Sequence, residues 1–255
     1  MGMAKDSKIR FSDRVADYVK WRPSYPEAAI QLLFERLGLR GGADVVADIG
    51  SGTGIFARLL AGRVGTIYAV EPNREMRAAA EEALSGVPGF TSVDASAEVT
   101  TLSDASVDLI VCAQAFHWFD RTACKREFAR ILKPGGYAAL IWNRRLDGSP
   151  FSQAYEKLLG SLGGEYQRVD HKKLLDSDFA AFFKDGIFTR SCFPYAQKLD
   201  FEGLLGRGRS SSYVPLPGTE GYERFEKSLK KTFDEFNVEG LVEIPYRTEV
   251  IWGRL

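Results

Sequence analysis

The sequence lacks an excess of either charge, because 34 Lys and Arg residues are matched by 34 Asp and Glu residues. A balanced charge gives no long-range attraction to nucleic acid or to an anionic membrane. No apolar stretch approaches the roughly 20 residues that cross a bilayer, and residues 1–10 lack the apolar run of a signal peptide. We therefore expect a cytoplasmic protein with neither nucleic acid nor a membrane as its partner.

Cysteine and histidine are also scarce. The three cysteines, Cys112, Cys124 and Cys192, show no CxxC spacing, and the two histidines are His117 and His171. An odd number of isolated thiols argues against a disulfide framework and against a zinc site. We expect reduced thiols and no bound metal, while the oligomeric state stays open.

What the sequence does contain is enough apolar material for one domain over residues 1–255, since 45% of its residues are hydrophobic. Short apolar runs alternate with helical patterns from residue 44 to about residue 142, which is typical of a doubly wound α/β fold with a mostly parallel sheet. Two later strands complete a seven-stranded, Rossmann-like sheet whose last strand is antiparallel. The predicted parts are an N-terminal cover (1–40), a ligand-binding core (41–145), a helical insertion after the fifth strand (146–185) and C-terminal strands and helices (186–255).

Periodicity and turn residues place the individual elements. Residues 11–25 are aromatic and irregular. The predicted strands are Asp44–Ile49, Thr66–Glu71, Phe90–Asp94, Val107–Ala113, Tyr137–Asn143, Ser191–Leu199 and Tyr246–Leu255. The predicted helices are Pro26–Leu37, Gly54–Ala61, Asn73–Leu84, Arg121–Leu132, Pro150–Leu162, Lys172–Lys184 and Gly221–Phe236.

The most informative stretch is a glycine-rich turn between the first strand and the first core helix, with the sequence Asp48-Ile49-Gly50-Ser51-Gly52-Thr53-Gly54. Glycines allow a sharp turn and let a ligand approach the backbone without a Cβ in the way. The dinucleotide-binding fingerprint is Gly-x-Gly-x-x-Gly, and if it began at Gly50 its third glycine would be at position 55. The residue there is Ile55, so a nicotinamide-dependent oxidoreductase is disfavoured. The acidic Asp48 instead suits a ligand that carries an ammonium group.

Acidic residues also follow the next two strands. Glu71 and Pro72 end the second strand, and a carboxylate there can accept two hydrogen bonds from a ribose diol. Met76 follows in the next helix, and the third strand ends in Asp94-Ala95-Ser96-Ala97, where a side chain or a backbone amide can read an adenine edge. The carboxyl ends of parallel strands share one edge of the sheet, so the pattern predicts one nucleoside site.

The turn, Glu71-Pro72 and Leu132-Lys133-Pro134-Gly135-Gly136 resemble the signature of class I S-adenosylmethionine-dependent methyltransferases. Two further stretches, one spanning residues 18–26 and one spanning residues 114–120, resemble a small-molecule branch related to trans-aconitate-type methyltransferases. The resemblance implies S-adenosylmethionine as cofactor and a small-molecule methyl acceptor. It also implies which residues contact the cofactor. The methionyl end is held by Asp48, Gly50, Ser51 and Gly52, and its carboxylate is covered by Tyr18 and Arg22. The ribose is bound by Glu71, the adenine by Asp94 and Ala95, and the sulfonium is bordered by Gln114 and Ala115.

The acceptor site needs positioning and exclusion of water rather than a metal, because the sulfonium is already a good leaving group. Aromatic side chains suit a cationic methyl donor. The predicted pocket residues are Trp21, Tyr25, Phe116, His117, Trp118, Phe119, Arg209 and Tyr213. His117 is the candidate catalytic base for a hydroxyl acceptor, whereas a carboxylate acceptor is already ionised and needs none.

A carboxylate acceptor needs a cation, and the candidates are Arg144, Arg145, Arg207 and Arg209. We favour Arg209, because hydroxyl groups follow it in the sequence at Ser210, Ser211, Ser212 and Tyr213. The leading hypothesis is methyl transfer to an oxygen atom of a small molecule. A non-catalytic protein that binds the same cofactor is the alternative from another class.

Overall fold

The computed structural model describes residues 14–162 and 174–255, and these form one seven-stranded sheet. The strand order is β3-β2-β1-β4-β5-β7-β6. The strands are β1 (Val45–Ile49), β2 (Thr66–Val70), β3 (Phe90–Val93), β4 (Val107–Ala113), β5 (Leu132–Arg145), β6 (Thr189–Leu199) and β7 (Val242–Gly253). β1 to β5 pair in parallel, and β7 runs antiparallel to both β5 and β6. The predicted fold class, including the antiparallel last strand, is confirmed.

Among the described residues, two helices precede the first strand, and the others lie between the strands or follow the fifth. They are α1 (Val15–Trp21), α2 (Glu27–Arg36), α3 (Ile55–Leu60), α4 (Arg74–Ala83), α5 (Arg121–Ile131), α6 (Pro150–Gly160), α7 (Asp176–Phe182), α8 (Phe201–Arg209) and α9 (Glu220–Phe236). Ser149 caps α6 by accepting a hydrogen bond at its Oγ from the Ser152 amide, 3.1 Å away. Pro150 lies at the first turn, where its missing N–H costs nothing.

Two helices differ from the sequence prediction. α1 forms within the stretch predicted to be irregular, and α8 has no predicted counterpart. The α8 sequence contains Gly203, Gly206 and Gly208, which disfavour a helix in isolation. Its glycines admit large neighbours instead, because a Cβ on Gly206 would lie 2.1 Å from the Trp21 ring. Tertiary packing therefore stabilises a helix that local propensity opposes.

Apolar side chains cover both faces of the sheet, as a mostly parallel sheet requires. One face packs against α5 and α7 through Phe128 and Phe182, and the other packs against α2 and α3 through Leu33 and Phe56. A third cluster lies beside the sheet edge and joins α6, α8, α9 and β7.

The region predicted as an insertion over the strand ends contributes to two places. α6 packs against α9 in the third cluster, whereas α7 packs with α5 on a sheet face. Lys172, where the prediction for the second helix began, and His171 fall outside the described residues. No helix in residues 14–162 or 174–255 is long and apolar enough to cross a membrane.

Candidate active site

A cavity of about 390 Å³ opens at the carboxyl ends of the parallel strands and extends beneath α1 toward α6 and α8. Its size falls in the range of small-molecule sites. The structure brings together at this cavity the predicted residues Tyr18, Arg22, Tyr25, Gly50, Ser51, Gly52, Glu71, Pro72, Met76, Gln114, Ala115, His117, Trp118, Phe119 and Tyr213. Residues scattered from position 18 to position 213 thus meet where the topology places a ligand.

Gly50, Gly52 and Gly54 of the turn all have positive φ, but the space around each position differs. A Cβ on Gly50 would lie 2.6 Å from the Ala115 Cβ, and one on Gly54 would lie 3.0 Å from Leu84. A Cβ on Gly52 would meet only the Met76 Cε, at 3.5 Å, on the cavity side. The expected role of keeping space for a ligand therefore applies to Gly52, whereas protein packing requires the other two.

Glu71 lies at the tip of β2 and is held by the backbone around it. Its Oε2 accepts a hydrogen bond from the Gly52 amide at 3.0 Å, and its Oε1 accepts one from the Asn73 amide at 2.8 Å. Burial raises the Glu71 pKa, while these two amides and the nearby Arg77 act in the opposite direction. Each carboxylate oxygen can still accept a further hydrogen bond, which is what the two hydroxyl groups of a ribose would require.

Asp48 lies fully buried beneath the turn, next to the cavity rather than on its wall. Its pKa is raised to about 7, mainly by burial and to a smaller extent by the charge of Glu71, while the backbone amide of Ala57 acts in the opposite direction. A cation above the turn would favour the ionised form of this carboxyl group.

The third strand contributes different residues from those that the family resemblance implied. Arg77 holds Asp94 through two hydrogen bonds of 3.0 and 2.8 Å, and neither Asp94 nor Ala95 lines the cavity. The wall there is formed by the next three residues, Ser96, Ala97 and Glu98. The predicted stretch 94–97 thus reaches the cavity through Ser96 and Ala97, rather than through the two residues that the family resemblance implied.

The end of β4 is strained. Gln114 adopts a left-handed backbone conformation with φ of 59°, which costs a non-glycine residue roughly 1–3 kcal/mol and is typical of functional sites. Its amide donates to the Ile141 carbonyl at 2.8 Å. A short 3₁₀ turn, Phe116–Trp118, follows and places the rings of His117 and Trp118 4.7 Å apart on the cavity wall.

The segment after α1 supplies a half-buried cation, Arg22. Arg22 donates from Nη2 to the Ser210 carbonyl at 2.8 Å, and its guanidinium lies 4.6 Å from the centre of the Tyr18 ring. Burial, together with the nearby Arg207, lowers the Arg22 pKa. The buried Arg22 Nε and Ser51 Oγ have no hydrogen-bond partner among the described residues. Such atoms are suited to a polar ligand.

Three predicted pocket residues do not line the cavity. Trp21 packs onto the glycine face of α8, and Phe116 points into the core, where its ring centre lies 4.6 Å from that of Phe182. Arg209 points away from the cavity and pairs with Asp17 through two hydrogen bonds of 2.9 Å. The cations that line the cavity are instead Arg145 and Arg207, with Arg22.

The wall includes further residues that the sequence analysis did not select. These are Pro23, Ile55, Phe56, Asn73, Glu98, Ala113, Asn143, Glu156, Ser212 and Tyr246. Glu156 and Tyr246 lie on α6 and β7, far along the chain from the recognisable motifs. Ser212 is adjacent to Tyr213, so the hydroxyl-rich segment was the one available signal.

Comparison with known proteins is consistent with this geometry. Residues 47–140 match a family described as a methyltransferase domain. An uncharacterized methyltransferase-like protein of Schizosaccharomyces pombe, C25B8.10, is 31% identical over 93% of this chain and 92% of its own length. The chain belongs to the methyltransferase family. This membership decides against a nicotinamide-dependent oxidoreductase.

Two further proteins resemble this methyltransferase. The uncharacterized methyltransferase Rv3342 of Mycobacterium tuberculosis is 38% identical over 55% of each chain. The structure of an Anaeromyxobacter dehalogenans protein assigned as a type II methyltransferase has a TM-score of 0.68 at 23% identity, covering 91% of this chain and 97% of its own. This structural likeness shows the shared fold.

S-adenosylmethionine is the cofactor of this methyltransferase family. The cavity fits that molecule on its own geometry: an open glycine cradle at Gly52, a carboxylate at Glu71 and the partnerless Ser51 Oγ and Arg22 Nε face one space. The predicted cofactor is therefore confirmed.

Proposed function

We propose that this methyltransferase methylates an oxygen atom of a small molecule. The observation that carries the proposal is one continuous cavity whose wall comes from two chemically different parts of the chain. Gly52 and Glu71 follow β1 and β2, whereas Arg207 and Tyr213 come from α8 and the segment after it. A cavity of about 390 Å³ covered by α1 suits a small acceptor better than a polymer. The balanced charge supports the same choice, and we place the protein in the cytoplasm.

For the cofactor end we assign roles by the chemistry of each group. Glu71 accepts from the ribose, Asp48 and the turn Gly50, Ser51 and Gly52 face the methionyl ammonium, and Tyr18 and Arg22 cover the carboxylate. Pro72 and Met76 supply apolar wall, and Gln114 and Ala115 border the sulfonium. For the adenine we move the contact from Asp94 and Ala95 to Ser96–Glu98, which line the cavity. When bound, the cofactor supplies an electrophilic methyl group.

The chain's own part in the reaction is to orient the acceptor and exclude water. Tyr25 and Trp118 wall the cavity, and aromatic rings tolerate the positive charge that disperses during transfer. His117 takes the proton if the acceptor is a hydroxyl group, and a carboxylate acceptor needs no base. Both acceptors lead to oxygen methylation.

The experiment that tests the proposal identifies the product. The protein is incubated with S-adenosylmethionine and a cell metabolite extract, and mass spectrometry searches for species heavier by one methylene group. We expect such a species with the wild-type protein and its absence with Glu71→Ala. A protein that binds the cofactor without any such product would be a non-catalytic binder, which contradicts the proposal.

The pH dependence of the rate then separates the two acceptors. If His117 is the base, the rate rises with pH across the range where imidazole titrates, about pH 6 to 7, and His117→Ala removes this rise. A carboxylate acceptor gives a rate that is independent of pH in this range and is retained in His117→Ala.

A further inference from the structure

Arg207 lies on α8 and faces the cavity with 4% of its surface exposed. Its Nη1 donates to the Ser211 Oγ at 3.1 Å, and its buried Nε has no hydrogen-bond partner among the described residues. In residues 14–162 and 174–255, no carboxylate comes within 4 Å of this guanidinium. A guanidinium keeps its charge in proteins, so burying one without an acid is costly.

Several of the surrounding arginines are paired with acids. Arg145 donates from Nε to the Glu156 Oε1 at 2.5 Å, and Arg144 donates to Glu249 at 2.6 Å. On α8 itself, Arg209 pairs with Asp17. Arg207 and Arg22 differ from these, because both line the cavity and neither forms an ion pair with a carboxylate of the described residues. Their charges also oppose each other, since Arg207 lowers the pKa of Arg22. The missing counter-charge is what an anionic ligand would supply.

A second polar group without a partner lies on the adjacent wall. Tyr246 is 2% exposed and lines the cavity, and its hydroxyl has no hydrogen-bond partner among the described residues. Tyr246 lies close enough to Arg207 that its ionised phenol would raise the arginine pKa, as would those of Tyr155 and Tyr213. A phenol can donate to an oxyanion that the guanidinium holds.

The position of Tyr246 along the sheet separates it from Glu71 and Gly52. Tyr246 on β7 lies opposite Arg145 on β5, whereas Glu71 and Gly52 follow β2 and β1. In the strand order β3-β2-β1-β4-β5-β7-β6, β4 and β5 intervene between the two ends. Tyr246 therefore lies on the side of the cavity away from Glu71, and Arg207, whose charge lowers the Arg22 pKa, borders the position assigned to the cofactor carboxylate.

We propose that Arg207 and Tyr246 form an anion subsite that binds a carboxylate or phosphate group of the methyl acceptor. The subsite defines the acceptor class as small organic acids, and it rests on the proposed function for its link to methyl transfer. Binding at Arg207 supplies the counter-charge that the protein omits and fixes the orientation of the acceptor relative to the cofactor.

The test is calorimetry on the full chain saturated with S-adenosylhomocysteine, in low-salt buffer. The probes are malonate, succinate and glutarate, their uncharged dimethyl esters, and inorganic phosphate. We expect at least one anion to bind and the matching ester not to bind. Arg207→Gln should weaken anion binding about tenfold or more, and Tyr246→Phe should weaken it by a smaller factor. The preferred probe distinguishes a carboxylate acceptor from a phosphate acceptor.

The control is Arg224→Gln, which removes the same charge from the exposed face of α9. It should leave anion binding unchanged. Arg207→Gln should fold with a midpoint of thermal unfolding equal to or above that of the wild type, because it removes an uncompensated buried charge. If it does not fold, Tyr246→Phe alone decides, since it deletes only a hydroxyl group that has no partner.

Three results would overturn the subsite: no probe anion binds, the esters bind as tightly as the acids, or anion affinity is unchanged in both Arg207→Gln and Tyr246→Phe. Loss of S-adenosylhomocysteine binding in Arg207→Gln would also overturn it, by assigning the arginine to the cofactor. Failure of the proposed function gives a different result, because S-adenosylhomocysteine would then not bind the wild-type protein. The anion titrations of the free protein would still report on Arg207.

Discussion

At the scale of single residues, the site depends on two carboxyl groups at neighbouring strand tips with unlike surroundings. Glu71 accepts two backbone hydrogen bonds that fix its orientation. Asp48 is buried beneath the turn with its pKa raised to about 7. Glu71 is thus organised to accept hydrogen bonds, and Asp48 is poised to respond to a positive charge above it.

Replacing Glu71 by alanine should weaken the binding of S-adenosylmethionine by about 100-fold or more. The variant loses hydrogen bonds to a charged acceptor, each worth about 1.5–3 kcal/mol. Calorimetric titration measures the change. Glu82→Ala, an exposed change on α4, should bind like the wild type. Equal affinity in both variants would remove Glu71 from the cofactor site.

Asp48 predicts a pH dependence of cofactor affinity. Because the pKa in the free protein is about 7 and a bound ammonium favours the carboxylate, affinity should rise with pH between 5.5 and 7.5, by up to about tenfold per unit. Asp48→Asn should bind more weakly and lose this dependence. Titrations at several pH values measure it, and an unchanged slope in Asp48→Asn would contradict the assignment.

The same raised pKa has a consequence for stability. The folded state binds more protons than the unfolded state between pH 4 and pH 7, so Asp48 destabilises the free protein as the pH rises through this window. Asp48→Asn should therefore be more stable than the wild type to urea at pH 8, with the difference vanishing near pH 4. Equal stability at both pH values would show that the carboxyl group is not buried as described.

Single-residue assignments were predictable from the sequence where a motif fixes the backbone. The glycine turn and Glu71 lie in continuous strand-turn-helix segments, and the cavity forms around them. Arg209 was chosen over Arg207 because the hydroxyl-rich segment begins there. In a helix, residues two apart point about 200° apart, so one faces the cavity when the other faces away. Because α8 was not predicted, the sequence provided no means to choose between Arg207 and Arg209.

At the scale of elements, α1 and α8 form the roof of the cavity. Trp21 packs closely on Gly206, and Arg14 donates to the carbonyls of Arg209 and Val214 at 2.6 Å. Lys20 pairs with Glu202 at 3.0 Å. Shape complementarity is the main contribution, because exposed ion pairs add at most about 1 kcal/mol.

Gly206→Ala should disturb this roof. The new Cβ would lie 2.1 Å from the Trp21 ring, so the ring or the helix must shift, at a cost of about 1–3 kcal/mol in the free energy of unfolding. Gly160→Ala, where nothing lies within 4 Å of the added Cβ, should be neutral or stabilising. Urea unfolding compares the two variants. Equal stability would show that the contact between α1 and α8 is looser than described.

The helices show where sequence patterns succeed and where they fail. α2, α4 and α9 have continuous apolar stripes or end signals, and their predicted bounds are accurate to within a residue or two. α8 was not predicted, because its glycines are required by close contacts with Trp21 and Phe225, which are distant in the sequence. Long-range packing of this kind produces no recognisable pattern in the local sequence.

At the scale of the whole molecule, the alternation of buried strands and helices predicted the doubly wound sheet. The antiparallel last strand was predicted as well, whereas the strand order is an observation of the structure. The cavity is a consequence of this topology, because the turn after β1 and the end of β4 diverge at one sheet edge. Its acceptor half was not predictable, since α6, α8 and β7 are brought together by tertiary folding.

The most direct test of the account is a calorimetric titration of the wild-type protein with S-adenosylhomocysteine, the product form of the cofactor. We predict one site per chain with a dissociation constant on the order of micromolar. The absence of heat, together with no competition by S-adenosylmethionine for the same site, would contradict the claim that this cavity is built for the cofactor.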